Sequence, residues 1–147
     1  MEVVEIKRNR VMTPLEKKEI VEKLKEAGFT LTPTNLLRWE KAGAVTLPFY
    51  RGPQKVVYHR ITLFEAYAAC KLLETKKVRD RWALGRIRTE AQLLQEDESP
   101  AYSHQRNENS QWEVHLRFSP DELPLEQLLA HIWLLAVLEA KDRWGID

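Results

Sequence analysis

The chain has 147 residues, 44% hydrophobic and 31% charged, enough to bury a core and too apolar for a disordered polymer. No apolar run approaches the roughly 18 residues of a membrane span, and the opening MEVVEIKRNRV lacks the apolar segment of a signal peptide, so a cytoplasmic protein is expected. The net charge of +1 conceals a polarity: residues 1–88 carry 19 Lys and Arg against 10 Asp and Glu, whereas residues 89–147 carry 4 against 12, so a polyanion is expected at the first part.

In chain order, Thr13, Pro14 and Glu16 predict a capping box opening a helix that Gly28 ends, with Ile20, Val21, Leu24 and Ala27 on one face. After FTLT, Thr32 and Pro33 repeat the cap-and-proline signal for a second helix running to Gly43. AVTLPFY, the turn RGPQ and KVVYH then predict a two-stranded hairpin, with Pro48 tolerated only at an edge. Thr62 and Glu65 form a further capping-box pattern, starting a helix through LFEAYAACKLLETKK.

VRDRWALGRIRTEAQLLQ is also helical, with Leu84, Ile87, Ala91 and Leu94 at the 3, 4, 3 spacing of a short coiled-coil seam. Gly85 weakens it locally, so one long helix and two shorter ones both fit. Residues 96–111 are polar and read as a linker or exposed loop. WEVHLRF alternates, with Trp112, Val114, Leu116 and Phe118 on one face of a strand that must pair with the hairpin or with its own copy in a partner subunit. From Pro124, LPLEQLLAHIWLLAVLEAKDRW is a helix apolar around much of its circumference, which protein must bury.

Catalytic chemistry is not expected. There is no glycine-rich phosphate loop, no nucleophile elbow and no His or Cys spacing for a metal, and the four histidines fall on different elements. Glu113 and His115 share only the polar face of a strand, and Cys70 sits in the small-residue run AYAACKLL, where it packs as a small side chain. No cofactor or metal is implied.

The second helix has the composition that a major-groove reader needs. Thr34, Asn35, Arg38 and Lys41 recur at helical spacing, while Leu36, Leu37 and Trp39 supply a packing side. The following hairpin offers Arg51, Gln54, Lys55, His59 and Arg60 to flanking phosphates; Tyr58 fits either the hairpin core or a phosphate donor. That is a winged helix-turn-helix plan for double-stranded DNA.

Residues of about 18 to 73 resemble the DNA-binding domain of the MerR-type regulators. Leu36, Leu37, Arg38, Trp39, Glu40 and Gly43 occupy the family's L-R-Y-Y-E-x-x-G-L pattern, and Val57, Tyr58, His59, Arg60, Ile61 and Thr62 stand opposite its G-Y-R-x-Y-S-like string. The basic residue of the helix comes one place later, as Arg38, as in excisionase-like relatives of the fold. The resemblance implies a mainly α protein with a small β-wing, its DNA-binding domain in residues 1–75. Residues 76–147 would be a helical arm, a polar linker and a strand-helix unit for dimerisation.

It further implies a transcriptional regulator acting as a homodimer on a near-palindromic site, with RNA polymerase at the promoter as a further partner. The seam at Leu84 and the apolar last helix, both needing cover, point to the homodimer independently. Two alternatives fit the same residues: an excisionase-like architectural factor, and a degenerate winged helix that binds protein instead of DNA.

Overall fold

The structure, a computed structural model of the chain, describes residues 14–78, 80–96, 102–116 and 124–145. Among them the fold is mainly helical, with five helices and two small antiparallel sheets. Strand β1 (Leu15–Glu16) leads into α1 (Lys17–Glu26) and α2 (Pro33–Lys41). The hairpin β2 (Tyr50–Arg51) and β3 (Val56–Tyr58) follows, then α3 (Arg60–Glu74), α4 (Arg81–Glu96), the hairpin β4 (Tyr102–Arg106) and β5 (Trp112–Leu116), and α5 (Leu125–Trp144).

The first helix starts later than its apparent cap. Leu15 and Glu16 are extended and pair antiparallel with Tyr58 and Val57, making a third strand in the order β1-β3-β2. Leu15 and Tyr58 are both buried, so the sheet claims residues that local propensity assigns to a helix. The predicted cap Thr13 lies outside the described residues, and the Glu19 carboxylate instead accepts the Glu16 N–H at 3.3 Å. The end is as expected. Gly28 takes φ +96°, and the N–H groups of Gly28 and Phe29 return to the carbonyls of Lys25 and Leu24, a Schellman closure.

Helix α2 matches its signals. Thr32 Oγ1 accepts the Asn35 N–H at 3.1 Å, Pro33 opens the helix, and Gly43 at φ +77° ends it with bonds from Gly43 N to Glu40 O and Ala44 N to Trp39 O. The next capping-box pattern is misleading: α3 starts at Arg60 with His59 as its cap residue. Thr62 and Glu65 are buried and serve a tertiary purpose, the Thr62 hydroxyl donating to Thr46 O and a Glu65 oxygen accepting the Thr46 N–H.

Two helices, not one, cover residues 60–96. The break lies at Thr75–Asp80, with Lys76 at φ +60° and Asp80 accepting the Ala83 N–H at 2.8 Å as the new cap. Gly85 is inside α4 and breaks nothing. A Cβ there would overlap the Ala42 carbonyl, so glycine permits α4 to approach the end of α2. Leu84, Ile87 and Ala91 are buried against the chain's own helices, not along a coiled-coil seam, and α5 is covered by α3 and α4. One apolar core therefore runs continuously from Leu15 to Ala140 across residue 75, and this cover is intramolecular.

The segment read as a linker contains a strand. Tyr102–Arg106 pairs antiparallel with Trp112–Leu116, so the Trp112 strand finds a partner within the chain other than the first hairpin. Polar side chains concealed it, but Asn107 builds the turn: its Oδ1 accepts the N–H groups of Asn109 and Gln111, with Ser110 at φ +61°. Asp142 docks this hairpin on α5, accepting from Arg106 Nη2 at 2.7 Å and Trp112 Nε1 at 3.0 Å, while the Arg106 guanidinium lies over the Trp112 ring. Phe118 lies outside the described residues. Among the described residues no helix is long and apolar enough to cross a membrane.

Candidate nucleic-acid interface

Helix α2 is divided lengthwise. Leu36, Trp39 and Glu40 are buried and Leu37 is half-buried, while Thr34, Arg38 and Lys41 are exposed with Asn35 half-buried beside them. The exposed positions fall at i, i+4 and i+7, so they form one continuous row along nine residues. Trp39 packs inward, as an aromatic on the side opposite the row must.

Glu40 is the unexpected member. Its side chain is only 4% exposed, and a carboxylate there is tolerated because both oxygens are bonded. Arg51 Nη2 donates to Oε1 at 2.5 Å and the Tyr58 hydroxyl donates to Oε2 at 2.5 Å. Burial, reinforced by Glu40, drives the Tyr58 hydroxyl well above its ordinary range, so it remains a donor. The triad ties α2 to the first hairpin through one residue on each strand.

This geometry sorts the expected contacts. Tyr58 is fully buried and belongs to the core, so it is no phosphate donor. Arg51 keeps an exposed edge, but its charge is matched by Glu40. Arg60 is committed elsewhere: its Nη2 donates to Trp144 O at 2.6 Å and its Nε to Gly145 O at 3.3 Å, closing the C-terminal end of α5. His59 is half-buried with its ring tilted 4.9 Å from that of Phe49. Each of these partners is distant in sequence, which is why a local reading left the side chains free.

Lys55 stays exposed at the hairpin turn, and no hydrogen bond or ion pair engages the side chains of Arg38, Lys41 or Lys55 among the described residues. The structure adds Lys17 and Lys18 at the start of α1, Lys18 being paired with Glu16 at 3.6 Å. With Pro33 at the start of α2 and the turn Gly52–Lys55, they line an open groove of about 530 Å³. Sequence reasoning missed these two lysines because strand β1, which brings the start of α1 to the hairpin, was not foreseen. It also missed a run of exposed apolar residues, Leu47, Phe49 and Tyr50, because AVTLPFY reads as a hairpin strand, whereas only Tyr50–Arg51 pairs in the structure.

Comparison of the chain with family models, curated proteins and solved structures returns no match.

Proposed function

We propose that the chain is a cytoplasmic, sequence-specific binder of double-stranded DNA with a MerR-like winged helix-turn-helix domain, acting in transcriptional regulation. The observation that carries this reading is the lengthwise division of α2, with Thr34, Arg38 and Lys41 facing out, Asn35 half-buried beside them, and Leu36, Trp39 and Glu40 facing in. The order of β1, two short helices, a hairpin and α3 supports the winged plan, α2 being the reading helix and Lys55 the hairpin's phosphate contact. RNA polymerase at a promoter would be the further partner of such a regulator.

A salt titration of binding to random duplex DNA tests it, since a phosphate-binding face gives a steep negative slope. A flat response would reject the reading and favour a protein-binding module, for which exposed Leu47, Phe49 and Tyr50 offer the natural contact.

The closure of Leu84, Ile87 and Ala91 within the chain favours a second reading, an excisionase-like factor that acts as a monomer. A homodimer now rests on the family resemblance alone. Sedimentation equilibrium separates the two: a 17.3 kDa species that stays monomeric on DNA favours the architectural factor.

A further inference from the structure

Three bonds from one side chain of α4 join α3 to the loop that leaves α2, one to α3 and two to the loop. Arg88 Nε donates to Glu65 Oε2 at 2.7 Å, Nη2 to Thr46 Oγ1 at 2.9 Å, and Nη1 to the Gly43 carbonyl at 3.2 Å. The other oxygen of Glu65 accepts the Thr46 N–H at 2.6 Å, so the loop is held from α3 and α4 together. One turn before Arg88, Gly85 lies against the Ala42 carbonyl at the C-terminal end of α2, too close for any side chain. The Arg88 side chain is 19% exposed and that of Glu65 7%, so the pair is largely withdrawn from water and acts inside the protein.

A guanidinium is a rigid fork, and one that meets three acceptors on two elements fixes direction as well as charge. Ala42 follows Arg38 by four residues, about 6 Å along a helix axis, so displacement at Ala42 reaches Arg38 little diminished. Contacts to base edges are sensitive to such displacement, whereas contacts to phosphates tolerate it.

We infer that Arg88 is a positioning residue: with Gly85 it fixes the C-terminal end of α2 and thereby sets how sharply that helix discriminates among duplex sequences, without touching DNA itself. The inference rests on the DNA-binding reading above. It makes α4, and through α4 the α5 bundle, a determinant of specificity.

The test uses the full-length chain and two variants, Arg88→Gln and Arg88→Lys, with a duplex enriched from a random pool and a scrambled duplex of equal length. Each protein is measured for the affinity ratio of the two duplexes, the salt slope, and amide hydrogen exchange. The wild type must discriminate between the duplexes. Arg88→Gln is expected to reduce that ratio by roughly 2- to 30-fold. Its salt slope should be unchanged, and exchange should quicken at Ala42–Thr46 while α3 and α5 keep their protection. Arg88→Lys, with one point charge in place of the fork, should fall between.

If the wild type discriminates and Arg88→Gln keeps both the ratio and the loop protection, the inference is overturned while the DNA-binding reading stands. If the wild type does not discriminate, the DNA reading fails and this inference with it. Should Arg88→Gln lose protection throughout, Arg88→Lys decides: a reduced ratio with an unchanged slope supports the assignment, and a wild-type ratio overturns it.

Discussion

The Tyr58 hydroxyl donates to the Glu40 carboxylate at 2.5 Å, joining the hairpin to α2 in a place where neither side chain reaches water freely. Arg51 holds the second oxygen, so removing one member strands the others. Tyr58→Phe should destabilise the chain by about 1–3 kcal/mol, because a buried acceptor loses its donor while the ring packing is kept. Urea unfolding of the two proteins measures it, and equal midpoints would remove the triad from the account.

The burial of that hydroxyl also sets a pH dependence. Burial first, and Glu40 second, raise the Tyr58 hydroxyl above its ordinary value, so the folded chain retains a proton that the unfolded chain releases near pH 10. The stability this contributes is fully present below about pH 10 and is lost as pH rises through the folded value. The fall in stability above about pH 10 should therefore be shallower in Tyr58→Phe, as thermal unfolding across that range would register.

Gly85→Ala sets two effects against each other. Helix propensity favours alanine by about 1 kcal/mol. A Cβ overlapping the Ala42 carbonyl, which is backbone and cannot step aside, opposes it by about 1–3 kcal/mol. The clash should win, so the variant should melt below the wild type; a higher melting temperature would mean that α4 does not approach α2 as closely as described.

Cys70 is buried in α3, and burial, with a smaller contribution from Glu74, pushes its thiol up to about 12. It should resist an aromatic disulfide reagent at about pH 8 in the native chain and react at once in denaturant, since the thiolate is the reactive form. Rapid native labelling would contradict the packing of α3 under α5.

The cations of the first hairpin and of the start of α3 should separate into two kinds. Lys55→Gln should shrink the salt slope of DNA binding by about one unit and leave specificity intact. Arg60→Ala should leave the slope alone and destabilise the fold by about 1–2 kcal/mol, since its bonds to Trp144 O and Gly145 O tie α3 to the end of α5. The reverse pattern would restore Arg60 to the interface.

Features governed by near neighbours in sequence were legible there. Thr32, Pro33, Gly28 and Gly43 act within four residues of themselves, and their helix ends came out where their chemistry places them. The exposed row of α2 was legible for the same reason, as a 3.6-residue period opposed to Leu36 and Trp39. What escaped depends on distant partners. Leu15 becomes a strand because Tyr58 is there to pair with it, and Thr62 and Glu65 serve Thr46 instead of a helix start. Arg60 meets a carbonyl 84 residues away, which no local pattern announces. The strand at Tyr102–Arg106 carries no apolar alternation, so only its pairing with Trp112–Leu116 reveals it.

If the outward row Thr34, Arg38 and Lys41, with Asn35 beside it, reads duplex sequence, repeated selection from a random duplex pool will show it. The wild-type chain should enrich a motif. Arg38→Ala should lose roughly 1–3 kcal/mol in affinity for that motif and relax its preference at one position. A wild-type pool that stays random through successive rounds, with Arg38→Ala indistinguishable from it, would contradict the claim.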